Sequence, residues 1–182
     1  MPAALLEKDE VLERLMRTFR DDGYDGASLA QLSERTGLGK SSLYHHFPGG
    51  KAEMAEQVLA HLDRTLEGLF AEVASRKGAA AQRDALLAGV QAFYENGKRA
   101  CLLERLAASV DRERFGRPLK NAFAAMQGAF ERVSLTAGAT AAQARASAED
   151  AVVNIEGALV VAAGTGDVRV FERTIERLRD RL

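Results

Sequence analysis

The chain is predicted to be all-α: an amino-terminal three-helix head of helix-turn-helix type, then a carboxyl-terminal helical bundle, about nine helices in all. Three observations lead there. Apolar residues recur at spacings of three and four along nearly the whole length, and no stretch alternates apolar and polar residues as a half-buried strand does. Between Ser28 and Lys51, two short helical patterns flank the glycine turn Gly37-Leu38-Gly39, the unit that lays a helix in a DNA groove. The length of 182 residues, 47% of them hydrophobic, suffices for one substantial core or two small ones sharing a long helix.

Val11, Leu15 and Phe19 line one side of a first helix that stops near Gly23. Ser28 opens the second with a capping box, its hydroxyl facing the amide three residues on while Gln31 reaches back to the amide of Ser28. Gly37 and Gly39 bracket the turn, since glycine accepts the left-handed backbone that a tight bend requires. A third helix over 40–46 is closed by Pro48-Gly49-Gly50, and Pro48 biases Phe47 away from helical geometry. A much longer helix begins near Lys51. Met54, Val58, Leu62, Leu66, Leu69 and Val73 form its apolar stripe, which links the head to the rest.

Gly78 to Gln82 reads as the next connector, although its alanines would also tolerate helix. Beyond it helices are expected over 82–97, 101–109, 112–137, 140–164 and 167–181, with Gly97, Gly138 and Thr165-Gly166 as punctuation. Residues 151–163 are apolar on nearly every side and should be buried on more than one face. In the last helix Val168, Phe171, Ile175, Leu178 and Leu182 make a seam for packing against another helix. Two such helices are half of a four-helix bundle that a second copy would complete. The domains are therefore drawn as 1–51, the head, and 52–182, the bundle.

Composition narrows the partners. A formal net charge of -1 excludes a general polyanion binder, so a nucleic-acid surface must be a local patch. Residues 28–51 carry Arg35, Lys40 and Lys51 against Glu34, while acids cluster before them. The single cysteine, Cys101, allows no intramolecular disulfide and suits a reducing cytosol, so a cytoplasmic protein is expected. No apolar run is long enough to span a bilayer. Met1 to Leu6, followed at once by Glu7-Lys8-Asp9-Glu10, does not read as a secretory leader.

The third helix carries the chemistry. At 1.5 Å per residue it is only ~10 Å long, enough to lay its first turn along base edges. Lys40 can reach a phosphate or a guanine edge, and Ser41 and Ser42 are small enough to let the backbone approach DNA. Tyr44 and His45 are long enough to clamp the backbone, while Leu43 and Phe47, four apart, face the head's own core. Lys51 begins the next helix, where its charge and the free amides favour a phosphate.

Other constellations are weaker. His45 and His46 point about 100° apart on a helix and do not share one ion, so neither metal nor cofactor is expected. Cys101, before Leu102-Leu103, reads as a small buried hydrophobe; the alternative is a thiolate stabilised by Lys98 and Arg99. No Ser-His-Asp order, phosphate loop or carboxylate pair occurs in a supporting context, so no residue is assigned to catalysis.

Leu66, Phe70, Phe93, Tyr94, Met126 and Phe130 would face inward and are candidate walls of a small-molecule pocket, or simply core. Asn154 and Glu156 interrupt the most apolar helix and need a polar partner. Gly157 permits close helix approach, so a homodimer interface is expected over Ile155, Gly157 and Leu159 together with Phe171, Ile175 and Leu178. From the residues alone a helical carrier of an apolar ligand and a helical enzyme stay open beside a DNA-binding protein.

The head resembles that of the TetR family of bacterial repressors. The matching residues are Phe19, Gly23 and Tyr24, then Ser28, then Gly37-Leu-Gly-Lys-Ser-Ser-Leu-Tyr44-His45, Phe47 and Lys51. Asn96-Gly97-Lys-Arg-Ala-Cys101-Leu-Leu and the stretch from Ala148 to Leu159 are similar to the subgroup containing the LmrA and YxaF regulators. The resemblance implies a dimeric repressor that binds a palindromic double-stranded DNA operator and is released by a small-molecule inducer. It implies phosphate contacts for Ser28, Tyr44, His45 and Lys51, and places Lys40, Ser41 and Ser42 at or near bases. It also implies dimerisation through the last two helices. Two departures stand out. Gly39 replaces the usual capping serine or threonine, and Glu7, Asp9 and Glu10 stand where a minor-groove arm would be basic.

Overall fold

A computed structural model describes residues 7–182; the reading of Met1 to Leu6 lies outside them. Among the described residues there are nine helices and no strand: α1 (Lys8–Gly26), α2 (Leu29–Thr36), α3 (Lys40–His46), α4 (Gly50–Ser75), α5 (Ala79–Phe93), α6 (Leu102–Ala107), α7 (Arg112–Thr136), α8 (Ala141–Thr165) and α9 (Arg169–Arg181). The all-α expectation holds. Among the described residues no helix is long and apolar enough to cross a membrane.

Local chemistry explains most boundaries. The helical run of α1 is broken at Gly23, which takes φ 72° and ψ 167°, and one further turn ends with the Ala27 amide donating to the Gly23 carbonyl. At α2 the capping box forms on both sides: the Gln31 amide donates to Ser28 Oγ at 3.2 Å, and the Ser28 amide donates to Gln31 Oε1 at 2.9 Å. Thr140 and Gln143 repeat the device at the start of α8.

Several sequence expectations need correction. Gly39 is not left-handed; with φ -62° and ψ 154° it is the extended N-cap of α3, and Gly37 alone makes the turn, at φ 74°. The alanines after Gly78 continue as helix, so α5 starts at Ala79. It also ends at Phe93, short of Gly97, because Glu95, Asn96 and Gly97 all adopt positive φ. A Cβ on Gly97 would stand 2.6 Å from Phe171 Cβ, so this turn demands glycine both for its backbone and for the close approach of α9.

The chain forms two compact units that do not follow chain order: the residues up to Asp63 with 102–119, and residues 64–101 with 120–182. In the first, α1 packs on α2 and α6. Leu15, Phe19, Leu32, Leu43, Phe47, Met54 and Val58 are buried there. In the second, α9 packs on α8 and α5. Phe171, Ile175 and Leu178 are buried within this unit, as are Ile155 and Leu159. The seam of the last helix is thus closed by helices of its own chain.

Candidate nucleic-acid interface

The turn that presents α3 is pinned from several sides. The Gly37 amide donates to the Ser33 and Glu34 carbonyls, Ser33 Oγ donates to the Leu38 carbonyl at 2.6 Å, and Thr36 Oγ1 donates to the Leu32 carbonyl at 2.6 Å. From α1, Arg14 donates to the Thr36 carbonyl at 3.0 Å, and Arg35 bridges to Asp21 and Asp22. The end of α2 is therefore fixed by more bonds than its own backbone supplies. Such over-determination holds a seven-residue helix that has no side-chain cap of its own.

On that base α3 divides sharply. Leu43 and the following Phe47 are buried at 1% and 0% exposure. Lys40, Ser41, Ser42, Tyr44, His45 and His46 are all exposed. The Tyr44 ring lies near the start of α4, where a Cβ on Gly50 would come within 3.7 Å of it. Ser28 is exposed as well, but its hydroxyl is already engaged in the capping box. The neighbouring rings of His45 and His46 sit 5.7 Å apart at 72°. Among the described residues no group of three or more metal-ligating side chains is assembled.

Lys51 differs from the sequence picture. It is half-buried, its Nζ donates to the Tyr24 carbonyl at 2.9 Å and lies 4.5 Å over the Tyr24 ring, so it ties the start of α4 to the end of α1. The amides at the start of α4 are not all free either: the Gly49 amide donates to Glu53 Oε2 at 2.6 Å. A phosphate there would share the helix terminus with a carboxylate of the protein.

A second set of contacts, invisible in the sequence, secures the same unit. The Val110 amide donates to Asp25 Oδ2 at 3.1 Å, Arg114 pairs with Glu56 at 2.8 Å, and the Tyr24 and Phe115 rings meet edge-on at 5.1 Å. Burial, with the Asp111 carboxylate beside it, raises the Tyr24 phenol above its ordinary pKa. The loop between α6 and α7 thereby holds the end of α1, the element on which α2 and Lys51 rest.

In the other unit, Leu66, Phe70, Phe93, Tyr94, Met126 and Phe130 come together with Leu69 and Val90 around one narrow seam of about 10 Å³. That is room for a single water. Tyr94 Oη lies 3.4 Å from Glu156 Oε1 and 3.6 Å from Cys101 Sγ. Cys101 is buried at 4% exposure. Asn154 bonds within its own helix, donating to the Asp150 carbonyl at 2.6 Å.

The interface expected from sequence needs revision on the same grounds. Ile155, Leu159, Phe171, Ile175 and Leu178 face inward and are covered within the chain, so they offer nothing to a second copy. Gly157 is exposed, on the same helix as the uncovered apolar side chains Val153 (64%), Val160 (55%) and Val161 (46%).

Comparison with known proteins agrees with this anatomy. Residues 11–58 match the family described as bacterial regulatory proteins, tetR family. The HTH-type transcriptional regulator LmrA of Bacillus subtilis is 32% identical over 65 residues, 36% of this chain and 35% of LmrA. The match thus spans about a third of that relative's length. A TetR transcriptional regulator from Legionella pneumophila has the same fold, with a TM-score of 0.87 at 16% identity, over 99% of this chain and 100% of that one. A cysteine mutant of the TetR family regulator CifR, complexed with 26 bp double-strand operator DNA, gives a TM-score of 0.74 at 23% identity, over 99% and 98% of the two chains.

Proposed function

We propose that the chain is a TetR-type repressor that binds a palindromic operator as a homodimer and is released by a small molecule, a reading supported by the match of residues 11–58 to the tetR family of bacterial regulatory proteins. The observation that carries the reading is α3: a helix fastened by Leu43 and Phe47 whose whole outward side is polar or cationic. Lys40, Ser41 and Ser42 would meet base edges, and Tyr44, His45 and Lys51 would meet phosphates, with Ser28 at the edge of the footprint. Two heads on one face of the duplex would address half-sites ~34 to 36 Å apart, or a multiple of that.

The exposed side of α8 supports the dimer. Val153, Gly157, Val160 and Val161 form an uncovered apolar strip, and a second copy of the same strip is its natural cover. Inducer would enter the bundle among α4, α5 and α7, where the six inward-facing residues gather, and would favour a head spacing that does not fit the operator. Differential affinity for the two arrangements, commonly ~1 to 3 kcal/mol, is what such release needs. The domain reading, 1–51 for DNA and 52–182 for ligand and dimer, belongs to the same proposal, as does action in the cytoplasm.

The test is recovery of protein-bound fragments from the source genome followed by gel shift. One or a few fragments carrying an inverted repeat are expected. Retention of no fragment above background would overturn the reading and leave a helical ligand carrier in its place.

A further inference from the structure

Beside the narrow seam lies a second, roomier cleft of about 230 Å³, lined by Phe70, Val73 and Ala74 of α4, Gln82 of α5, and Ala129, Arg132, Val133, Leu135 and Thr136 of α7. Phe70 is common to both, so one wall separates the cleft from the apolar seam. The cleft is more than twenty times the volume of the seam, room for a short alkyl chain.

Its chemistry is one-sided. Six of the nine lining residues are apolar, and Arg132 is the only charged one. Among the described residues the guanidinium of Arg132 makes no ion pair, and the neighbouring Glu131 is taken by Arg145 at 3.4 Å. Gln82 Nε2 donates to the Arg76 carbonyl, which leaves its carbonyl oxygen as an acceptor. An unopposed cation at the mouth of an apolar groove matches a molecule with one anionic head and one hydrocarbon tail. A neutral apolar ligand would leave Arg132 unused, and a cation would be repelled.

We propose that this cleft binds a single-tailed amphiphile with an anionic head group, the head on Arg132 and the tail against Phe70, Val73 and Val133. The proposal deepens the ligand-responsive reading above and rests on it only for the step from binding to operator release. Thr136 stands one helical turn beyond Arg132 and is exposed beside it, its hydroxyl donating to the Arg132 carbonyl at 2.9 Å. An occupant longer than the cleft would press on Phe70 and open the seam behind it.

The test uses octanoate as the probe and calorimetry on the full chain without DNA. Octanoate is expected to bind, 1-octanol at least ~10-fold more weakly, and octyltrimethylammonium not measurably. Arg132→Gln should weaken octanoate at least ~10-fold and leave 1-octanol unchanged. Ala74→Phe, at an exposed position that leaves the core intact, should fill the groove and weaken both alkyl probes. Absence of octanoate binding, equal binding of the alcohol or the cation, or indifference to Arg132→Gln would each overturn the assignment. Operator release is measured separately by fluorescence anisotropy: octanoate that binds the chain without releasing operator supports the cleft and removes the inducer role.

Discussion

Two helices of this molecule, α3 and α8, show solvent surfaces of contrasting chemistry. The outward side of α3 is lysine, serine, tyrosine and histidine; the exposed surface of α8 includes a strip of three valines and a glycine beside its polar residues. Exposure alone says nothing about a partner, since more than half of an ordinary protein surface is apolar. What distinguishes the two is the match between side chain and backing. In α3 the apolar residues all point inward and only hydrogen-bonding groups remain outside, which suits a hydrated polyanion. In α8 the inward side is already filled by Ala148, Val152, Ile155 and Leu159, and valines still remain outside, which suits another protein surface.

The largest effect is expected at α8. Val153→Asp combined with Val160→Asp should convert the proposed dimer to a monomer and lower operator affinity by ~10²- to 10⁴-fold, because two linked heads gain that much over one. Sedimentation velocity and anisotropy read both effects. A variant that still sediments as a dimer would move the interface elsewhere.

On α3 the effects should be smaller and of a different kind. Ser42→Ala is expected to change base preference at one operator position, by ~1 to 3 kcal/mol. Selection from a random DNA pool that returned the parental consensus would remove Ser42 from the base-reading set. Lys51→Ala should weaken all sequences alike and flatten the dependence of log affinity on log salt by ~0.9 for each phosphate that is no longer neutralised. An unchanged slope with lowered thermal stability would assign Lys51 wholly to its bond with the Tyr24 carbonyl. The smallest effect belongs to Gly39→Ser. A Cβ there meets nothing within 4 Å, and a serine cap should stabilise the head by a few tenths of a kcal/mol in urea unfolding.

Much of the head is legible in the sequence because its determinants are local. The Ser28 and Gln31 capping box, the left-handed Gly37 and the Pro48 stop lie within three residues of what they control, and α3 occupies 40–46 as its spacing predicts. The six inward residues of the bundle are likewise legible from period alone. What escapes is whatever depends on a distant partner. A seam such as Phe171, Ile175 and Leu178 signals an apolar face without saying whether the cover comes from the same chain. Asp25 and Val110, or Glu56 and Arg114, are too far apart in sequence for any pattern to pair them. Glu95 and Asn96 adopt positive φ beside Gly97, against which Phe171 packs, and nothing near them spells that out.

Leu43 and Phe47 anchor α3 from behind, and almost nothing on its outward side takes part in that anchoring. The residues that hold the helix and the residues proposed to read DNA are therefore separate within the same short helix. On the proposed reading, the residues at 40, 41 and 42 can be rewritten, by selection or by design, while the scaffold that displays them stays as it is.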